Sequence, residues 1–410
     1  MELHQQQYTI QGIDVLQLTR QFGTPVYVYD GDRIVGQIEK LKKAYGGANL
    51  KIKYAAKALT NISILKLIRS QGVGVEVVSV EEGRLAARAG FQPAEIMFTP
   101  SGVDFSEIAE GVQSGFPINL DNLSSLEKFG ERFGNSYPCG LRLNPGIMAG
   151  GNIKISTGHS NSKFGIPIQQ LDKILHLVNQ YSIQIDGLHI HTGSDIKENE
   201  AFIKTAEALF DTARHFPNLR FIDFGSGFKV PYKPGDDFTD INDLGARLTK
   251  TFNTFCEQYG RPLELRIEPG KFIVSESGTL LVQVNVVKTT PAVTFAGVNS
   301  GLNHLIRPMM YDAYHHIVNV SNPGGSEKLY TVVGYICETD TFGSDRMLNE
   351  VREGDILAFR NAGAYGFSMA SNYNSRLRPA EVLIINGEAK LIREREKFED
   401  LLRGQIVIDL

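Results

Sequence analysis

The sequence predicts an α/β fold, a closed parallel (β/α)8 barrel of the TIM type, joined to a second, all-β domain. Two observations carry that prediction. Between about Tyr27 and Lys271 one pattern repeats eight times: a short apolar or β-branched run, a polar turn, then a stretch of helical periodicity that stops near a glycine. After Lys271 the pattern gives way to apolar runs separated by turns, with little helical spacing between them. Alternating strands and helices build a parallel sheet, and eight such units suffice to close it into a barrel. A doubly wound open sheet is the competing reading of the same periodicity.

In order, the runs begin near Ile52, Val73, Ile96, Phe116, Gly140, Ile185, Phe221 and Leu263. The segments between them carry helix punctuation. Ser79 with Glu82, and Asp104 with Glu107, have the spacing of a capping box, while Gly72, Gly90 and Gly115 stand where helices should stop. The β-domain is predicted from the apolar runs at 279–287, 331–337, 354–359, 380–385 and 389–394. The strand-like stretch Val26 to Tyr29 is expected to join it. The division that follows is a barrel over 30–271 and a β-domain, of sandwich or barrel type, made from 1–29 and 272–410. The stretch 146–162, rich in Gly, Ser and Asn and long for a strand-to-helix connection, is expected to be mobile.

The 410 residues are 42% hydrophobic and 21% charged, which excludes a disordered or collagen-like chain. With 42 Lys and Arg against 46 Asp and Glu and no basic block, the footprint of a nucleic-acid or anionic-membrane binder is missing. The first residues lack the pattern of an export signal, and no apolar run reaches the roughly eighteen residues of a membrane span. Cys139, Cys256 and Cys337 are odd in number and far apart, so reduced thiols in the cytoplasm are expected, with a small molecule as the partner.

A barrel of this kind does its chemistry at the C-terminal ends of its strands. The first strand ends in Tyr54-Ala-Ala-Lys57, an amine on an apolar strand, where desolvation would lower its pKa and make it a Schiff-base nucleophile. Around the sixth strand, His189-Ile-His191-Thr-Gly-Ser194 puts two histidines on one face. Either they begin a metal site, with Asp223 and Glu268 as further ligands, or His191 lies against an aromatic cofactor while Ser194 and its turn bind an anion. The seventh strand runs into Gly225-Ser226-Gly227, whose backbone N–H groups can approach a phosphate. Strand eight closes with Glu268-Pro-Gly270-Lys271, a carboxylate beside a second glycine turn. An amine, a stackable histidine, a carboxylate and late phosphate turns describe pyridoxal 5'-phosphate better than zinc.

These segments, with Ser162-Lys163-Phe164-Gly165, Arg307-Pro308 followed by Tyr311 and Tyr314-His315, Cys337-Glu338-Thr-Asp340, Gly363-Ala-Tyr365 and Asn372-Tyr-Asn374, resemble the fold type III pyridoxal-phosphate decarboxylases. This is the alanine-racemase-like barrel family, and within it the match is to the diaminopimelate decarboxylases. The resemblance covers nearly the whole chain in order and spacing. It implies that Lys57 holds the cofactor covalently, that His191 stacks on the pyridine ring, and that Glu268 pairs with the pyridine nitrogen. Ser194, Gly225, Gly227, Gly270, Lys271 and Tyr365 would hold the phosphate region, and Cys337 would give the product its proton. Arg307, Tyr311, Glu338, Tyr365 and Lys163 would contact substrate, with Arg307 and Glu338 close together as the clamp for its far end. It further implies a homodimer with shared sites, in which Glu338 reaches the neighbouring subunit's site, and no metal. Three positions depart from the family: Lys271 where Arg is usual, Cys337-Glu-Thr-Asp340 where Cys-Glu-Ser-Gly-Asp is usual, and Glu76 where Asp is commoner. A carboxylate at Glu268 favours a protonated pyridine, the strong electron sink that decarboxylation needs.

Overall fold

The structure, a computed structural model, describes residues 1–147 and 162–410; most of the segment expected to be mobile lies outside them. The chain divides into two compact units, Val35–Pro231 with Asp237–Ile273, and Met1–Ile34 with Tyr232–Asp236 and Val274–Leu410.

Eight parallel strands of the first unit follow in chain order, Leu50–Ala55, Gly74–Val77, Ile96–Phe98, Asn119–Leu120, Cys139–Asn144, Ile185–Ile190, Phe221–Asp223 and Glu264–Ile267, and the two-residue strand Ile166–Pro167 adds to the fifth. Strand eight pairs with strand one, and each strand from one to eight pairs with the next except three with four. That seam is joined by a parallel bridge between Phe98 and Ile118. The sheet therefore closes on itself, which removes the open doubly wound alternative. Helices follow strands one to seven, at Ile62–Ser70, Val80–Arg88, Phe105–Gln113, Leu123–Phe133, Leu171–Tyr181, Asn199–Ala213 and Ile241–Tyr259.

Local chemistry explains the helix ends. Gly72, Gly90 and Gly115 adopt positive φ at the expected stops. Ser79 and Asp104 cap their helices, accepting from the backbone N–H of Glu82 and Ser106. The reciprocal half of each predicted capping box is absent. Glu82 instead accepts from the Val78 N–H, and Glu107 reaches across to the Val80 N–H of another helix. A tertiary donor has replaced the local one.

In the second unit, Val26–Asp30 lies between Gly278–Thr289, its antiparallel neighbour, and Ala380–Ile385, its parallel one. The sheet also contains Thr294–Val298, Glu327–Val333, Thr341–Asn349, Ile356–Phe359 and Glu388–Arg393, with Ile317–Asn319 alongside. Three of these strands, 294–298, 317–319 and 341–349, went unread in the sequence because they are short or carry charges mid-strand. The strand read as 331–337 ends at Val333, which leaves Cys337 on a bend rather than in the sheet. Met1–Asp14 contributes a separate three-stranded sheet. No helix of the described residues is long and apolar enough to cross a membrane.

Candidate active site

Lys57 stands in a single 3-10 turn, Ala56–Ala58, immediately after the first barrel strand. Its side chain is exposed. Four residues earlier on the strand, Lys53 is buried with its amine donating to the Glu95 carbonyl at 3.0 Å. Burial pulls Lys53 down to about 8.

His191 lies just past the sixth strand and is half-buried. The Ser226 backbone N–H donates to its Nδ1 at 3.3 Å, which leaves the ring proton on Nε2. Desolvation, then the charges of Lys57 and Arg142, hold its pKa well below the usual value, so the ring is neutral at pH 7. Ser226 Oγ donates to the Glu268 carbonyl at 2.8 Å and ties this turn to the end of strand eight. Gly225 and Gly227 have φ of +59° and +109°. A Cβ on Gly227 would sit 2.2 Å from the Gly193 carbonyl oxygen, so the two turns meet at a distance only glycine permits. Ser194 follows Gly193, half-buried.

Glu268 is buried within the barrel mouth, its Oε2 3.0 Å from His189 Nε2. Its Oε1 has no hydrogen-bond partner. Burial raises its pKa, while the charges of Arg142 and Lys57 oppose that rise. Glu76 on strand two and Asp223 on strand seven are also buried and also raised, chiefly by desolvation and next by the Glu268 charge. Arg142, buried on strand five, supplies the opposing charge, and its guanidinium lies 4.7 Å from the Phe164 ring centroid. Arg142 went unread in the sequence. The signal was present in Gly140-Leu-Arg-Leu-Asn144, whose alternation sends Arg142 to the same side as Asn144.

Lys271 Nζ donates to Asp195 Oδ1 at 2.6 Å, so the residue that replaces the family's usual Arg has its charge engaged by the acid next to Ser194. Gly270 packs against Ala55 and Ala58 beside the Lys57 turn. Lys163 is exposed, its amine 4.9 Å from the Phe164 ring centroid.

The second unit holds the other predicted residues. Cys337 is exposed and accepts from Asn374 Nδ2 at 3.7 Å, while the Tyr373 hydroxyl donates to Glu338. Asp340 braces this bend, accepting from the N–H groups of Leu302 and Ile336 at 2.7 and 2.9 Å. Arg307 is buried, with Nη1 3.2 Å from His315 Nε2 and its guanidinium 4.8 Å from the Tyr232 ring centroid. Tyr311 ends the short helix that Arg307 begins. Arg307 and Glu338, expected as a joint clamp, are thus each engaged by separate neighbours. Tyr365 carries a φ of +56°, a strained conformation for an aromatic residue of the kind that functional sites retain.

The barrel groups fit pyridoxal phosphate: Glu268 Oε1 is a buried acceptor lacking a donor, which a pyridine N–H would supply. They place the chain among the pyridoxal-phosphate enzymes built on a parallel barrel. Comparison with known proteins narrows that class. The model of the pyridoxal-dependent decarboxylase pyridoxal binding domain matches residues 31–275. The diaminopimelate decarboxylase of Methanothermobacter thermautotrophicus is 39% identical, over 97% of this chain and 95% of its own. That of Escherichia coli K12 is 36% identical, over 96% of each. The crystal structure of diaminopimelate decarboxylase from M. jannaschii in co-complex with L-lysine superposes with a TM-score of 0.92 at 30% identity, covering 99% of this chain and 98% of that one. The chain belongs to the pyridoxal-dependent decarboxylase family, and its cofactor is pyridoxal phosphate. The metal reading of His189 and His191 with Asp223 and Glu268 gives way to that assignment.

Proposed function

We propose that this chain removes the carboxylate at the D-centre of meso-2,6-diaminopimelate, releasing carbon dioxide and L-lysine, the last step of lysine biosynthesis. The observation that carries the reaction type is Glu268, a buried carboxylate with an open acceptor at the mouth of the barrel. Bound at Lys57, pyridoxal phosphate supplies the sink for the electron pair left when carbon dioxide departs. A carboxylate at Glu268 keeps the pyridine nitrogen protonated, which deepens that sink and favours decarboxylation over racemisation. The substrate follows from the relatives, which are named for diaminopimelate.

Lys57 Nζ would hold the cofactor covalently. His191, neutral and fixed by the Ser226 N–H, packs on the ring. Ser194, Gly225, Gly227, Gly270, Lys271 and Tyr365 hold the phosphate region. Cys337 Sγ delivers a proton to the carbon from which the carboxylate left. Asn374 Nδ2 points at this sulfur from 3.7 Å and holds it in place. Arg307 and Tyr311 take the distal carboxylate, and Glu338, aligned by Tyr373, takes the distal ammonium; Lys163 also contacts substrate. The working form is a cytoplasmic homodimer in which Glu338 serves the neighbouring subunit's site.

Purified protein supplied with pyridoxal phosphate should absorb in the visible and convert meso-diaminopimelate to lysine and carbon dioxide. Lys57→Ala should lose both the absorbance and the turnover. Visible absorbance with no lysine formed would move the substrate to another basic amino acid, and substantial turnover by Lys57→Ala would overturn the role of Lys57.

A further inference from the structure

Asp223 ends the seventh barrel strand, is fully buried, and has no part in the steps above. Its Oδ1 accepts the Gly225 N–H at 2.9 Å, while Oδ2 has no hydrogen-bond partner. A carboxylate oxygen of Asp223, one of Glu268 and a ring nitrogen of His189 lie within 4.8 Å of one another, all three residues buried. Two carboxylates that close, away from water, cannot both hold a full charge without a large penalty. One of them carries a proton, and the surrounding donors decide which.

Glu268 has the better-supported charge. His189 Nε2 is 3.0 Å from Glu268 Oε2, and burial lowers His189 to about 4, so at pH 7 the ring is neutral with a single N–H. That proton belongs on Nε2, because on the unpartnered Nδ1 it would be a stranded buried donor. Arg142 and Lys57 stabilise the Glu268 charge further. Against these, Asp223 has one backbone N–H and the charge of Arg266, which also acts on Glu268.

We propose that Asp223 is a positioning residue held as a neutral carboxylic acid, whose Oδ2–H and the His189 Nε2–H both serve Glu268 and leave Oε1 open for the cofactor's pyridine N–H. The assignment rests on the pyridoxal-phosphate reading of the site. The charged and titratable groups facing Asp223 are Glu268 and Arg266 at strand eight, His189 on strand six and Lys53 on strand one. Glu76 from strand two and Arg142 from strand five act on Glu268 in turn. Burial and then the Glu268 charge push Asp223 up to about 7, in keeping with a retained proton. Since its Oδ1 also fixes the Gly225 turn, Asp223 joins the phosphate end of the site to the ring-nitrogen end.

Asp223→Asn keeps a neutral donor and an acceptor but has no proton to lose, whereas Asp223→Ala keeps neither. Pyridoxal phosphate binding is followed by visible absorbance between pH 6 and 9 in wild type and both variants. The expected result is a dissociation constant within about threefold of wild type for Asn at neutral pH and weakened about tenfold or more for Ala, the worth of a buried hydrogen bond. The wild type should also lose affinity as pH rises through about 7, a dependence the Asn variant lacks. An Asn variant as weak as Ala, or an Ala variant equal to wild type, overturns the assignment. Infrared spectra of wild type and Asp223→Asn, with and without cofactor, decide the matter should Ala fail to fold. A protonated-carboxyl C=O band at neutral pH that disappears in the Asn variant supports the neutral acid, and its absence from wild type overturns it. A wild type that takes up no pyridoxal phosphate overturns the functional reading instead, while the infrared band of the cofactor-free protein still tests the proton.

Discussion

The acceptor that holds Arg307 is a histidine, and its hydrogen bonds settle its tautomer. His315 Nδ1 is 2.9 Å from the Arg360 carbonyl, which can only accept, so Nδ1 carries the proton and bare Nε2 receives Arg307 Nη1. Burial, then the Arg307 charge, lower His315 to about 3. Between that value and the ordinary one the unfolded chain binds a proton that the folded chain refuses. The contribution of His315 to stability is therefore complete above about pH 6.5 and is lost as pH falls toward 3. His315→Asn offers an amide donor and acceptor that do not titrate. Urea melts from pH 7 to 4 should show the variant losing less stability than wild type, by up to about 1.4 kcal/mol per pH unit. Parallel profiles would mean that His315 is not neutral in the folded protein. His315 belonged to a motif quoted from the sequence, yet its bond to Arg307 was not legible, since eight residues separate them around a short helix. Lys57, His191 and Glu268 were legible because each directly follows or adjoins an apolar strand, where a polar residue stands out. That Arg307 meets His315 and Glu338 meets Tyr373 was not legible either, because sequence spacing carries no information on which neighbour engages a long side chain.

Among elements, the barrel interior depends on one large ring crossing between small residues. A Cβ on Gly187 of strand six would come within 1.9 Å of the Phe221 ring of strand seven, and one on Gly140 of strand five within 3.3 Å. On its other side the ring meets Arg266, whose guanidinium lies 3.5 Å from the ring centroid. The strands thus fill their shared core with Phe221 rather than with their own side chains. Gly187→Ala should destabilise the protein by about 3 kcal/mol or more, at or beyond the upper end of ordinary overpacking, because strand backbone cannot retreat from the ring. Adding Phe221→Leu should recover part of that loss, and equal melting temperatures for the single and double variants would refute the contact. The strand-helix alternation itself was readable from apolar runs of adequate length. Strands such as Thr341–Asn349 were not, since their polar faces break the run, and pairing with the neighbouring strand Glu327–Val333 is what makes this one a strand.

At the scale of the whole molecule, the β-domain is assembled from pieces of chain that lie far apart. Val26–Asp30 is central in its sheet, antiparallel to Gly278–Leu281 and parallel to Ala380–Ile384. Val26 and Val28 enter one core with Ile10, Val15, Leu18, Leu281, Ala358, Val382 and Ile384. On the other face, the Tyr29 hydroxyl donates to Glu381 at 2.7 Å, and Glu381 is fully buried. A fragment carrying only 274–410 would therefore expose two inner strand edges, lose apolar burial worth about 1.5–3 kcal/mol for each large side chain, and deprive a buried carboxylate of its Tyr29 donor. Such a fragment should show no cooperative thermal transition by circular dichroism, and a peptide spanning 1–34 added in trans should restore one. A cooperative melt by 274–410 alone would show that the amino-terminal strand is an addition to a self-sufficient domain. The restored transition would show the opposite: residues translated first wait for the last third of the chain, so the barrel segments between them are synthesised before the β-domain can close.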